Sequence, residues 1–303
     1  MISSLQLSKI VLNALETADT AEQKALTQLT TGRKVNAASD DPAAAAQEVN
    51  ISSQMNNCDQ YLRSISSIYS ELQTADSSLN SVVTALQSAI SLGMAGANGT
   101  LTGQNRDTVA QQIKDVSEQV FNVANLAYNG VYVFAGTASS QPPYVQDNTA
   151  PGGIRYQGND GVNSVAVADG ESIAANQPGS QLFSANGASV FVALNDLVTA
   201  LQDPNSTADD IGNTVTELRN AYDQLTAART FYGSTIDQLV STQDFLNNEN
   251  VQLSQQQNST VGVDMNVAVT NLTNAEESRA ATVEAAATLN GSTLMDYLAS
   301  LHR

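Results

Sequence analysis

Tryptophan is absent from this 303-residue chain, and cysteine and histidine occur once each, as Cys58 and His302. A single cysteine excludes an internal disulfide framework, and one thiol beside one imidazole leaves too little to build a zinc or iron–sulfur site. Nucleophile–base catalysis is poorly provided for, because the only imidazole sits one residue from the C-terminus. No catalytic residue, metal or cofactor is expected, and the chain is not expected to be an enzyme. Cations are scarce as well: 12 Lys and Arg face 30 Asp and Glu, a net charge of −18. No stretch gathers enough of them to neutralise several phosphates, so nucleic acid is not an expected partner. No run approaches the ~18 consecutive apolar residues of a membrane span, and the opening Met1-Ile2-Ser3-Ser4-Leu5 lacks a charged leader followed by an apolar segment. Membrane insertion is not expected, and export, if it occurs, would not use a cleaved signal peptide.

What the chain does have is small residues in a helical rhythm. Alternating steps of four and three from Ile51 give Ile51, Met55, Cys58, Leu62, Ile65, Tyr69, Leu72, Asp76, Leu79, Val83, Leu86 and Ile90. Eleven of these twelve are apolar, where the 42% background would supply about five. A second series runs through Val109, Ile113, Val116, Val120 and Val123, ending at Ala127. A third runs Ile211, Val215, Leu218, Tyr222, Leu225, Arg229, Tyr232, Ile236, Leu239, Gln243, Leu246, Asn250 and Leu253. A 3.5-residue repeat keeps one stripe facing a partner along a helix, so these series predict the seams of long antiparallel helices. At about 1.5 Å per residue, forty such residues reach roughly 60 Å, and an elongated rod is expected. Arg229, Gln243 and Asn250 interrupt the third seam; either they border water, or they select one register at a cost in stability.

Both ends carry a weaker pattern. Leu5, Leu7, Val11, Leu12 and Leu15 open the chain, with Ala14, Ala18, Ala21 and Ala25 behind them, and Val267, Leu272, Leu294, Leu298 and Leu301 close it. Alanine favours helix but buries little area, so such helices need partners to persist. These residues, with the cations Arg33 and Lys34, are the candidate assembly interface, and the terminal helices are expected to pair as a coiled coil that orders on association.

Boundaries are legible. Asp41-Pro42 before four alanines predicts an N-cap with proline in the first helical turn, and Thr207-Ala208-Asp209-Asp210 predicts a capping box. The Asp40-Asp41 and Asp209-Asp210 pairs are therefore read as helix-start anions, not as catalytic dyads. Gly93, Gly96, Gly99 and Gly103 predict a break between helices. Residues 130–187 hold nine of the 18 glycines and four of the six prolines, and short runs such as Val131–Phe134, Ile154–Tyr156 and Val165–Val167 predict a small β-rich insert. The expected organisation is mainly α: terminal coiled-coil helices at 1–40 and 263–303, a helical bundle from 41–136 and 191–262, and a β-rich outer domain at 137–190.

With that layout in place, Leu29-Thr30-Thr31-Gly32-Arg33-Lys34-Val35-Asn36-Ala37-Ala38-Ser39-Asp40-Asp41-Pro42-Ala43 resembles the N-terminal signature of the bacterial flagellin superfamily. Val263–Ala268 and Ser292–Leu298 look like its C-terminal signature, and Phe231-Tyr232-Gly233-Ser234 fits as well. Ala97–Leu101 with Asn105-Arg106, and Gly130–Thr137, are similar to the hook-associated branch of that superfamily. The resemblance implies a structural adaptor of the flagellum that joins hook to filament by self-assembly, with filament flagellin as the alternative. It implies export in the unfolded state through the flagellar type III apparatus. The implied partners are further copies of the chain, a hook-side junction protein, the flagellin of the filament and an export chaperone, and the implied location is extracellular. Cys58 departs from a family poor in cysteine and is expected to act as a small buried hydrophobe.

Overall fold

The computed structural model describes residues 4–99, 101–184 and 189–301, with side chains described for Gln6 and from Lys9 as far as Thr288 apart from those breaks. Seven helices and three two-stranded antiparallel ribbons are present among the described residues. The helices are α1 (Ser4–Thr31), α2 (Pro42–Gly96), α3 (Gly103–Ala124), α4 (Gly179–Phe183), α5 (Val190–Gln202), α6 (Ala208–Val261) and α7 (Met265–Leu301). The strands are β1 (Ala127–Tyr128), β2 (Val131–Tyr132), β3 (Tyr144–Gln146), β4 (Ile154–Tyr156), β5 (Ser164–Ala168) and β6 (Glu171–Ala174). The chain forms two compact units, one from residues 1–57 with 248–303 and the other from residues 58–247, the division falling within α2 and α6.

The helix starts are chemically marked. Asp41 Oδ1 accepts from the amides of Ala43 and Ala44, both at 3.0 Å, ahead of α2. Before α6, Thr207 Oγ1 accepts from the Asp210 amide while the Asp210 carboxylate accepts from the Thr207 amide at 2.9 Å, so each residue satisfies an amide of the other. Those bonds to Thr207 hold the Asp210 carboxyl below the usual aspartate range. Thr102 and Ser189 cap α3 and α5 through their hydroxyl oxygens, which accept from the amides of Asn105 and Val192.

In the 58–247 unit, α2 and α6 run antiparallel, which the cross-pairs establish: Asp76 meets Arg229, Gln87 meets Tyr222 and Met94 meets Arg219, one number rising as the other falls. Between them Ile65, Leu72, Leu79 and Leu86 on α2, and Leu218, Leu225, Tyr232 and Leu239 on α6, have no exposed surface. Cys58, Ile211 and Val215 are also buried, while Leu62, Tyr69, Tyr222 and Ile236 are half-buried. Helix α5 turns Leu194, Leu197 and Leu201 inward, and α3 adds Ile113 and Val120. Burial of an aliphatic side chain contributes about 1.5–3 kcal/mol, so this contiguous set is the main source of the unit's stability.

Gly93 and Gly96 do not break a helix as their spacing suggested; both lie inside α2, which continues to Gly96 itself. They are contact points. A methyl group on Gly93 would meet Val215 Cγ2 at 2.7 Å, and one on Gly96 would strike the Leu201 side chain. Helix α2 thereby seats the side chains of Leu197 and Leu201 on α5 and Val215 on α6 directly against its glycines, and a Cβ at either position would require those side chains to shift. The break itself falls at residues 97–102, before the Thr102 cap.

The insert is attached through aromatic packing. Tyr144 of β3 lies 5.7 Å from Phe183, 5.2 Å from Phe191 and 5.1 Å from Tyr156 between ring centroids, and Phe134 meets Phe183 edge-on at 5.7 Å. Phe191 belongs to α5, so the cluster joins the ribbons to the helices. Asn125, at the C-terminal end of α3, adds a clamp: its amide nitrogen donates to Tyr144 O at 3.0 Å and its amide oxygen accepts from Tyr144 N at 2.9 Å. Of the expected strands, Ile154–Tyr156 is β4 and Val165–Val167 lies within β5, but the first run is shorter than its pattern suggests. β2 stops at Tyr132, because Val133, Phe134 and Ala135 leave the ribbon to enter the core.

Candidate assembly surface

The other unit is organised about one corner. Gly32 ends α1 with φ of 68°, a left-handed conformation that costs glycine little, and its amide returns to Gln28 O at 2.9 Å. The chain then runs antiparallel to the segment between α6 and α7: Lys34 N donates to Val261 O at 2.7 Å and Val263 N donates to Gly32 O at 3.0 Å. Val35, Ala44 and Val261 close a small core beneath. The end of α1 and the start of α7 are thereby held side by side, although some 230 residues separate them in sequence.

Polar side chains brace this corner. The Arg33 guanidinium lies 2.7 Å from Glu48, which also accepts from Gln257 at 3.0 Å. Lys34 donates to Ser259 O at 3.2 Å while its side chain stays exposed. Asp40 accepts from the amides of Asn36 and Ala37, each at 3.1 Å, and pairs with Lys24 at 2.9 Å. The Lys24 bond first, and those amides second, hold the Asp40 carboxyl below its ordinary value of 3.8. A lowered carboxyl stabilises the folded form above the ordinary value and loses that contribution as pH falls through the folded value. Amide exchange at Asn36 and Ala37 is therefore expected to accelerate below about pH 4, and Asp40→Asn is expected to show the fast exchange already at neutral pH; NMR exchange rates check both.

From this corner α1 and α7 run antiparallel, tied by Arg279 to Asp19 at 2.7 Å and to Glu22 at 3.4 Å. The residues fully buried within the unit along this pair are alanines, Ala18 and Ala25 on α1 and Ala268 and Ala275 on α7. Seven large apolar side chains point away. Ile10, Leu12 and Leu26 on α1, and Met265, Val267, Val269 and Val283 on α7, are each between 45% and 63% exposed. Met265, Val269 and Val283 fall on one face of α7 and Val267 on the opposite side, so the exposed apolar residues occupy more than one stripe. A helix that is apolar on several sides is one covered on several sides. Along the pair, Ala280, Val283 and Ala287 with Glu22 and Glu284 line an open groove of about 410 Å³.

Among the candidate interface residues, Leu12, Val267 and Lys34 are exposed, and Val11, Leu15, Arg33 and Leu272 are half-buried. The side chains of Leu5, Leu7, Leu294, Leu298 and Leu301 lie outside the described residues. Ile51 and Met55, at the start of the first seam, are buried and half-buried in this unit. Sequence reasoning passed over Ile10, Leu26, Val49, Val251, Met265, Val269 and Val283, all exposed large apolar residues of the described region. They fall off the four-three rhythm, and their signal was that each is a costly residue to leave in water.

Residues 2–139 match the family model for the bacterial flagellin N-terminal helical region. The match runs through α1, the corner, α2, α3 and the first ribbon. No curated protein sequence matches it. Solved structures share its fold: a flagellar hook-associated protein from Vibrio parahaemolyticus aligns over 74% of this chain and all of its own, with a TM-score of 0.68 and 20% identity. FlgL of Bacillus cereus aligns over 69% of this chain and 99% of its own, at 0.59 and 22%. Flagellar hook-associated protein 3 of Legionella pneumophila aligns over 69% and 97%, at 0.62 and 13%.

Proposed function

We propose that this chain is a structural adaptor of the bacterial flagellum, joining the hook region to the filament by self-assembly of helical subunits. The observation that carries the reading is the packing of α1 and α7, which buries Ala18, Ala25, Ala268 and Ala275 and leaves Ile10, Leu12, Leu26, Met265, Val267, Val269 and Val283 largely in solvent. Surfaces of that kind are left apolar for a partner. Copies of the same chain supply matching surfaces, and axial neighbours on the hook and filament sides supply the rest. The flagellin match over residues 2–139 and the fold shared with hook-associated proteins support this reading. An export chaperone would cover the same apolar helices before assembly, and the working location is extracellular.

Deleting the gene in the source bacterium and imaging the cells by electron microscopy tests the reading. The expected result is hooks without filaments, with flagellin shed into the medium. Loss of filament with no flagellin released, together with purified chain that polymerises alone into long filaments, would select filament flagellin instead. Normal filaments and normal motility would overturn both.

A further inference from the structure

We infer that the ion pair between Asp76 and Arg229 selects the register in which α2 and α6 pair. Asp76 is the one member of the first seam that is not apolar, and Arg229 interrupts the third. In the structure the two exceptions meet each other. Arg229 Nε donates to Asp76 Oδ1 at 3.0 Å, Nη2 to Oδ2 at 3.1 Å, and Nη1 to Asn80 Oδ1 at 2.9 Å. The two parallel bonds form a planar fork, the most directional pairing available to a guanidinium. Only 23% of the Arg229 side chain and 31% of Asp76 remain exposed, and Leu72, Leu79, Leu225 and Tyr232 around them have no exposed surface.

The need for such a selector follows from the seams themselves. Their apolar positions repeat every seven residues, so sliding α6 by one repeat puts apolar side chains against apolar side chains again. Hydrophobic burial is non-directional and hardly separates the two alignments. The polar pair separates them sharply. After a slip of seven residues Asp76 would face Tyr222 or Ile236, and Arg229 would face Tyr69 or Val83. Each charge would then be mostly covered and without its partner, the situation that penalises a wrong alignment most. Gln87 would also lose its 2.7 Å bond to Tyr222. A single polar position within an apolar seam is the best-attested way of fixing register, at some cost in stability.

Spin labels at Thr84 and Gln238, both exposed, test this in the full chain carrying Cys58→Ala. These sites stand about a dozen residues, roughly 20 Å, apart along the seam, so a slip of one repeat changes their distance by about 10 Å. With Asp76 and Arg229 intact, pulsed dipolar spectroscopy should show one narrow distance. Replacing both by leucine should leave helix content and melting temperature equal or higher, yet add a second distance population. Exchanging the charges, Asp76→Arg with Arg229→Asp, should restore the single distance. One distance in the leucine pair would overturn the inference, as would two in the exchanged pair. Should the leucine pair fail to fold, Asp76→Asn with Arg229→Gln, which keeps shape and removes charge, reads the same two outcomes.

Discussion

Ile65→Asp is expected to unfold the 58–247 unit. Ile65 has no exposed surface and sits on the α2 seam two turns before Leu72, which is likewise without exposed surface, so a carboxylate placed there is cut off from water. The substitution removes about 1.5–3 kcal/mol of apolar burial and adds a desolvated charge, for a loss of several kcal/mol. A domain of this size is stable by only about 5–15 kcal/mol, so the loss consumes a large share of the margin. Circular dichroism melting should show a drop of ten degrees or more, on the order expected for such a loss, or no cooperative transition at all. Leu62→Asp provides the internal comparison. Leu62 is half-buried, so its aspartate can reach water and the effect should be clearly smaller. Equal effects at the two sites would mean that the seam does not lie where the structure puts it.

The second large effect is expected on assembly and not on folding. Leu12 is 63% exposed and Val267 is 53% exposed, on α1 and α7 of the same antiparallel pair. In the isolated chain Leu12→Asp with Val267→Asp should leave helix content and melting unchanged, because neither side chain is packed within its unit. If these faces are covered by other subunits, the variant gives up roughly 3–6 kcal/mol of burial per subunit, before any penalty for the new carboxylates. Since about 1.4 kcal/mol is a factor of ten, the critical concentration for assembly should rise roughly 100-fold or more. Analytical ultracentrifugation with electron microscopy of the assembled fraction measures both. Undiminished assembly would remove the apolar faces of α1 and α7 from the mechanism. Ala18→Asp is the contrasting change: Ala18 is 5% exposed inside the α1–α7 pair, so that substitution should disturb the monomer itself.

These two sites differ in how visible they were beforehand. Ile65 was legible from spacing, because a helix covers one stripe and the apolar residues recur at the period of that stripe. The caps at Asp41-Pro42 and Thr207–Asp210 were legible for a similar reason: each is a local arrangement, completed by atoms within four residues. Leu12 and Val267 were visible as apolar residues of weak terminal patterns, but their direction was not. A sequence pattern says that a residue will avoid water, and does not say whether its own chain or another will cover it.

Other features were invisible because they depend on atoms far apart in the chain. Gly93 read as a helix breaker until Val215 and Leu197 were found against it. Asn125 gave no sign that its side chain would take both backbone bonds of Tyr144, nineteen residues on. Arg33, a candidate for contact with another subunit, is bound by Glu48 of its own chain.

The amino-acid sequence alone determined the helical character of the chain, the stripes along which its helices are covered, the ends of those helices and the resemblance of residues 29–43 to the flagellin N-terminal signature. All of these rest on local propensity and on periodicity, which act over a few turns. Tertiary structure alone decided which stripe meets which, in what direction and in what alignment, and that the terminal pair buries Ala18, Ala25, Ala268 and Ala275 while leaving residues such as Leu12 and Val267 exposed. The apolar stripes of this chain are similar enough to pair in many ways, since burial has no direction. The choice among those pairings falls to the few contacts that do have one, such as the fork of Arg229 on Asp76 and the close approach at Gly93.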